Sequence, residues 1–209
     1  MPSFEKKIES LLDERTRTLG TIKTRSVGAD SLTLTAFSVL VYAQLEGGMK
    51  DLAGCVLKDL NLRHLPVGHI KPELLQWRNP DEINRFKSMV DFDMIATPTP
   101  FALALERRLR VKGINRRNEL NQMDWGAIRR IYRGLGLDYT EIDKLRTKID
   151  EIVEDRNEAA HHGILPSTAA TYMEQQVREK VGVVENVLTD FCLQVLPFFA
   201  NRLHMRGTP

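Results

Sequence analysis

Apolar positions recur at intervals of three and four along nearly the whole chain, the spacing that places them on one side of an α-helix. The first such segment runs from about Ser3 to Arg25, with Phe4, Ile8, Leu11, Leu12, Leu19 and Ile22 at helical spacing. Gly28-Ala29-Asp30-Ser31 breaks it, and either Asp30 or Ser31 suits the N-cap of the next element. From Leu32 to about Leu60 follows a long, more apolar helix through Leu34, Phe37, Leu40, Val41, Leu45, Met49, Leu52, Ala53, Val56 and Leu57. Its opening turns carry the most apolar side chains, so that end is expected inside a bundle or at a subunit interface.

The pattern then loosens. His64-Leu65-Pro66-Val67-Gly68-His69 reads as loop, Asp81 to Met89 as a short helix, Ala96-Thr97-Pro98-Thr99-Pro100 as a second break, and Phe101 to Val111 as a further helix. A short helix is expected from Trp125 to Arg133, closed by Gly134-Leu135-Gly136-Leu137-Asp138. Thr140 is placed to cap a helix from Glu141 to His162, and Ser167 to cap the last one, from about Thr168 to Leu203. No strand alternation and no internal repeat stand out. The expected fold is an all-α, antiparallel helical bundle of four or more helices in one domain over 1–209. Within it, 1–26 form the N-terminal helix, 31–60 and 123–206 the bundle core, and 61–121 a partly irregular helical insertion.

Composition narrows this picture. With 42% hydrophobic and 28% charged residues the chain has the balance of a globular protein rather than a disordered one. No unbroken apolar run approaches the roughly 20 residues a membrane span needs, and the first residues lack the apolar stretch of a signal peptide. No membrane role is therefore expected. Cys55 and Cys192 lie within apolar helical patterns, as buried thiols of a reducing compartment would, so a cytoplasmic location is expected. Net charge is only +2 but unevenly spread. Between Glu106 and Arg133, Arg107, Arg108, Arg110, Lys112, Arg116, Arg117, Arg129, Arg130 and Arg133 face Glu106, Glu119 and Asp124, nine basic against three acidic. Either a solvated face or a phosphate-attracting patch would look like this.

The chemistry concentrates at Arg156-Asn157-Glu158-Ala159-Ala160-His161-His162-Gly163. A permanently charged guanidinium, an amide and an imidazole within a turn and a half suffice in kind to bind a phosphodiester and move its protons without metal. Ile142, Leu145, Ile149, Ile152, Val153 and Ala160 define an apolar stripe, and Arg156 falls on its centre, where burial requires a partner or an opening cleft. Asn157 and His161 share the neighbouring stripe, about 120° round from Arg156. Gly163 is placed to terminate the helix. The bland alternative is a histidine favoured at a helix C-terminus and an arginine paired inside the bundle. Glu158-x-x-His161 has the spacing of di-iron bundle ligands, but no second such motif occurs, so no metal and no cofactor are expected. Trp77 and Trp125 read as packing residues, there being no interleaving of aromatic with basic positions.

Three separated stretches sharpen this. Val41-Tyr42-Ala43-Gln44-Leu45-Glu46-Gly47 resembles the Tyr-Ala-x-x-Glu-Gly signature of MAE-type HEPN domains, a superfamily named for nucleotide binding in higher eukaryotes and prokaryotes. Arg130 to Asp138 resembles the short helix and Gly-Leu turn preceding the site helix there. Arg156-Asn157-x-x-Ala160-His161 resembles the Arg-polar-x-x-x-His nuclease motif. The resemblance covers roughly 30–200. It implies an all-α bundle that forms a homodimer in which two motifs meet, and a metal-independent endoribonuclease of toxin-antitoxin or phage-defence type. RNA would be cleaved by 2′-OH attack, with an antitoxin or other partner protein as a possible restraint.

Carried over by residue, His161 would be the acid/base group, Arg156 the phosphate-binding cation and Asn157 their orienting companion. Glu46 and Lys50 would support the site, with Glu46 a partner for Arg156. Tyr42 stays open between a core residue and a cleft-lining one, as does the choice of His161 or His162 for the cleft. Arg129, Arg130 and Arg133 are the RNA-binding candidates. The His-x-Tyr extension of adenylylated HEPN toxins is absent, since Gly163 and Ile164 follow. The alternative is a catalytically silent HEPN module for dimerisation or nucleotide binding within a defence or regulatory complex.

Overall fold

A computed structural model of the chain describes residues 3–66, 69–71, 73–74, 122–163, 170–201 and 205. The expected helices at Asp81–Met89 and Phe101–Val111, the Ser167 cap, Trp77 and most of the 61–121 insertion lie outside these residues.

Six helices are described: α1 (Phe4–Arg25), α2 (Ser31–Leu62), α3 (Trp125–Leu135), α4 (Thr140–Asp143), α5 (Arg146–His162) and α6 (Ala170–Ala200). Among the described residues the only β-type pairing is an isolated bridge between Ile70 and Met205. The fold is thus all-α, with α1, α2, α5 and α6 as the long members of the bundle.

Capping residues set the boundaries. Ser3 and Asp30 accept hydrogen bonds from the backbone of Lys6 and Thr33, so Asp30 rather than Ser31 starts α2. Asp124 does the same for α3 through Ala127 N at 2.7 Å. Gly136, at φ 70°, ends α3, and Gly163, at φ 74°, ends α5, each in the left-handed region that a side chain disfavours.

One expectation is corrected here. Thr140 does not cap a continuous helix to His162. Asp138 Oδ1 instead accepts from Thr140 N at 2.9 Å and Oγ1 at 2.6 Å, giving the single turn α4. Leu145 N then bonds back to Ile142 O, three residues away, and α5 begins afresh at Arg146. The tight turn interrupts the i→i−4 ladder while keeping Ile142 and Ile149 buried.

One core cluster unites the helices. Leu45, Met49, Leu52 and Val56 of α2 and Val181, Val184, Leu188 and Phe191 of α6 are fully or almost fully buried within it. The two helices approach so closely that a Cβ on Gly48 would stand 2.8 Å from Leu188 Cδ2. α1 packs across both and α5 against both from another side. Met173–Ala200 has the length and mean hydropathy, 1.4 over its best window, of a membrane-crossing helix, but half of that window is buried inside the bundle. That burial is what the central helix of a bundle shows.

Candidate functional site

The C-terminal half of α5 carries the cluster. Its buried positions are Ile149, Ile152, Val153 and Ala159. Arg156 has the angular position of that stripe but is exposed, and Ala160 is exposed too. Of the two outcomes the sequence allowed there, a buried partner or an opening face, Arg156 takes the open one, while Ala159 beside it stays buried. What Arg156 meets is Tyr42 of α2, its guanidinium carbon 5.4 Å from the ring centroid. A cation over an aromatic face is attracted by the ring quadrupole.

Arg156 Nη1 donates to Asn157 Oδ1 at 3.0 Å, so cation and amide form one polar unit. Glu46 is not its ion-pair partner, as had been expected. Glu46 Oε1 instead takes Lys50 Nζ at 2.6 Å, one turn along α2. Because residues four apart on a helix are surface neighbours, the local lysine captures the carboxylate first. Glu46 still acts on the site through Tyr42. Burial raises the Tyr42 hydroxyl above its ordinary value; the Met123 N–H pulls it down, Glu46 pushes it up and Arg156 pulls it down. Tyr42 is 4% exposed, and its hydroxyl accepts from Met123 N at 3.2 Å. It is a core residue whose ring face supports the cation, which joins the two readings the sequence left open.

The two imidazoles separate. Both are exposed, with ring centroids 6.5 Å apart. His162 Nε2 lies 3.6 Å from Glu158 Oε2, one turn back along α5. His161 lies one turn beyond Asn157 and shares its stripe, about 120° round the helix from Arg156. Glu158 is thus associated with His162, not with His161 in the manner of a metal-binding Glu-x-x-His. Among the described residues no three of His, Cys, Asp and Glu converge as a metal site would need.

The basic patch is only partly described. Arg129, Arg130 and Arg133 lie on the exposed side of α3, and Arg129 sits 5.3 Å over the ring of Tyr139. α3 is anchored to α5 where Trp125 N donates to Asp150 Oδ1 at 3.3 Å. Asp150 precedes Arg156 by six residues, so this anchor lies roughly 9 Å along the helix axis from the Arg156 cluster. The other six basic positions lie outside the described residues.

Sequence reasoning missed a buried pair just behind the site. Lys180 of α6 is 5% exposed in its side chain and is ion-paired with Asp155, the residue before Arg156. Its signal was present: Lys180 lies between Val177, Val181 and Val184, and a lysine on an apolar stripe needs a carboxylate. Asp155 thus ties α5 to α6 while Arg156 projects toward α2 and solvent.

Comparison with curated proteins returned no match, and comparison with solved structures returned none. A family model described as RiboL-PSP-HEPN matches residues 5–196, nearly the whole chain. The span includes the Tyr42 to Gly47 signature, the α3 turn and the Arg156 to His161 motif, and the fold sets Arg156 of α5 over Tyr42 of α2. The chain belongs to the RiboL-PSP-HEPN family and, through it, to the HEPN superfamily.

Proposed function

We propose that this protein is an endoribonuclease that cleaves RNA without a metal ion and works as a homodimer. The observation that carries the reading is the Arg156–Asn157 unit seated on Tyr42 near the end of α5, with the exposed His161 one turn beyond Asn157 on the stripe those two residues share. In the reaction, the 2′-hydroxyl gives its proton to a base and attacks the adjacent phosphorus. The P–O5′ bond breaks, the leaving oxygen takes a proton, and the products are a 2′,3′-cyclic phosphate and a 5′-hydroxyl. His161 serves as base in one protomer and as acid in the other, and Arg156 balances charge growing on the phosphoryl oxygens. Asn157 holds the guanidinium in place, and Arg129, Arg130 and Arg133 attract the strand by charge.

A dimer is supported by the outer face of α2. Leu32 is 65% exposed, Leu40 45% and Val39 37%, and with exposed Ala36 and Ala43 they follow one helical phase into Glu46 and Lys50. A second copy covering this face would bring its own α5 toward Arg156. We further place the activity in the cytoplasm, in a toxin-antitoxin or phage-defence setting with a protein partner to restrain it.

The test is cleavage of several RNAs by purified protein in EDTA. Wild type should release cyclic-phosphate ends, and a 2′-deoxy nucleotide at the cut should block it. His161→Ala should lower the rate by about 10² to 10⁴ while circular dichroism is unchanged. Undiminished cleavage by that variant, or strict dependence on added metal, would refute the reading. One observation favours a silent dimerisation module: the guanidinium is already engaged by Asn157 and Tyr42. Inert wild-type protein that dimerises through α2 would select that alternative.

A further inference from the structure

Along the seam of α1 and α2, on the C-terminal half of α2, runs an open groove of about 650 Å³ that touches none of the residues of the Arg156 cluster. Its apolar surface comes from Phe4 and Leu11 of α1 and from Cys55 and Leu62 of α2, with Gly54 adding no side chain to the floor. Three lysines, Lys6, Lys7 and Lys58, stand around it. Two carboxylates line it as well, but each is occupied. Asp51 Oδ2 takes Arg15 Nη2 at 2.5 Å, and Asp59 Oδ2 takes Arg63 Nε at 2.6 Å.

Among the described residues, no ion pair engages Lys6, Lys7 or Lys58. The groove is therefore apolar in its floor and cationic at its rim, with its own acids already neutralised by arginines. Lys7 and Lys58 line the groove together with Cys55. Burial raises the Cys55 thiol; Lys7 pulls it down, Asp59 pushes it up and Lys58 pulls it down. The first turn of α1 adds the positive end of its helix dipole. A volume in the range of roughly 300–1,000 Å³ suits a small molecule rather than a partner helix.

We propose that this groove binds a soluble amphiphilic anion, its alkyl chain or ring seated between Phe4, Leu11 and Leu62 and its phosphate or carboxylate head held by Lys7 and Lys58. The apolar floor supplies area-dependent affinity, and the lysines select charge and orient the head. The site is separate from the Arg156 cluster, so it stands or falls independently of nuclease activity.

Dodecyl phosphate below its micelle-forming concentration is the probe, titrated calorimetrically into the full chain. One saturable site is expected, with dodecyltrimethylammonium failing to bind. Cys55 gives a local readout. The chain has two cysteines, and Cys192 is 2% exposed, so modification of the native protein by a thiol reagent reports on Cys55. Bound dodecyl phosphate should slow that modification about tenfold or more. Lys7→Glu with Lys58→Glu should weaken binding at least about tenfold, with Lys7→Gln and Lys58→Gln intermediate and their circular dichroism spectra unchanged. Equal binding of the cationic surfactant, binding that leaves Cys55 unprotected, full affinity in the lysine variants, or attachment only to anionic vesicles would each overturn the proposal.

Discussion

The hydroxyl of Tyr132 and the guanidinium of Arg156 are both polar ends of bundle side chains, and their surroundings could hardly differ more. Tyr132 is fully buried; its hydroxyl donates to Asp190 Oδ2 at 2.9 Å and lies 3.3 Å from Val187 O. Gln194 Nε2 donates to the same carboxylate at 2.9 Å and to Asp138 O at 2.6 Å, while its Oε1 accepts from Asp138 N at 2.9 Å. That network is closed: side chain and backbone satisfy one another, and α3, the turn after it and α6 are locked together. Arg156 has an amide beside it, an aromatic face beneath it and water above. A closed network fixes a fold, whereas an open one leaves its hydrogen-bonding capacity for something that arrives later. Substitutions should therefore cost stability in the first region and activity in the second.

The largest separation is expected at Arg156. Arg156→Ala should reduce RNA cleavage by about 10³, on the order of 4 kcal/mol in the barrier, because charge on the phosphoryl oxygens loses its partner. The melting temperature should stay within about 2 °C of wild type, as for other exposed substitutions. Arg156→Lys keeps the charge but loses the planar fork that donates to Asn157 and that, on the proposed reading, would also hold the phosphate, and should retain only about a tenth of the activity. A large drop in melting temperature in either variant would show that Arg156 belongs with the closed kind. Single-turnover rates and thermal melts on the same samples check this.

Next comes Lys180, which lies immediately behind the open site but is itself closed. Lys180→Met leaves Asp155 unpaired at the α5–α6 contact. Breaking a buried pair costs about 3–5 kcal/mol, and with Asp155 23% exposed in its side chain about 2–3 kcal/mol is expected. Lys180→Met combined with Asp155→Leu should recover much of that loss, since apolar packing often replaces a buried pair without cost. Urea denaturation of the single and double variants measures it. Unchanged stability in the single variant would mean that the pair contributes nothing to the α5–α6 contact.

What was legible in the sequence follows the same division. Helical periodicity placed α1, α2, α3 and α6 to within a few residues, because alternating burial on a bundle leaves its period in the chain. The motifs at Tyr42 and Arg156 lie on α2 and α5, which meet where the guanidinium rests on the Tyr42 ring. The partners of those residues were not legible. That Arg156 would rest on Tyr42 depends on how α2 and α5 meet, bringing together residues 114 apart in the chain. Thr140 looked like a cap because Thr before an acidic residue is a common helix start. Its backbone N–H and its hydroxyl are instead both given to Asp138 Oδ1, two residues earlier, in a local turn. Arg156 had the angular position for burial; only the depth of the neighbouring layers decided otherwise. The Tyr132–Asp190–Gln194 network left no mark at all, since each member is unremarkable at its own position.

Tyr132→Phe probes that network directly. Asp190 loses one donor but keeps Gln194, so about 1–1.5 kcal/mol should be lost at neutral pH, with cleavage unaffected. The pH dependence carries a further mark. Burial first, and then the Asp190 charge, raises the Tyr132 hydroxyl well above its ordinary value of 10.0, so the folded chain holds that proton more tightly than the unfolded one. This contribution is complete below pH 10 and is lost as pH rises above it. Burial likewise lifts the Cys192 thiol from 9.0 to about 12, adding a fall between those values. Tyr132→Phe should flatten the decline above pH 10 and leave the Cys192 portion in place, as urea denaturation from pH 8 to 11 would record. An alkaline limb identical to wild type would place that proton elsewhere.

The smallest effect belongs to Tyr42, which shares features of both regions: buried like Tyr132, yet lying beneath Arg156. Tyr42→Phe removes the acceptor of the Met123 N–H and should cost about 1 kcal/mol, most of it from leaving that buried amide unpaired. The ring face survives, so the cation keeps its seat and cleavage should fall no more than about threefold. Tyr42→Leu keeps the bulk but removes the aromatic face as well, and its further loss of activity should appear in kcat rather than KM if the ring holds Arg156 where charge develops. Should the two variants be equally active, the stack would be incidental, and Tyr42 would belong wholly to the core.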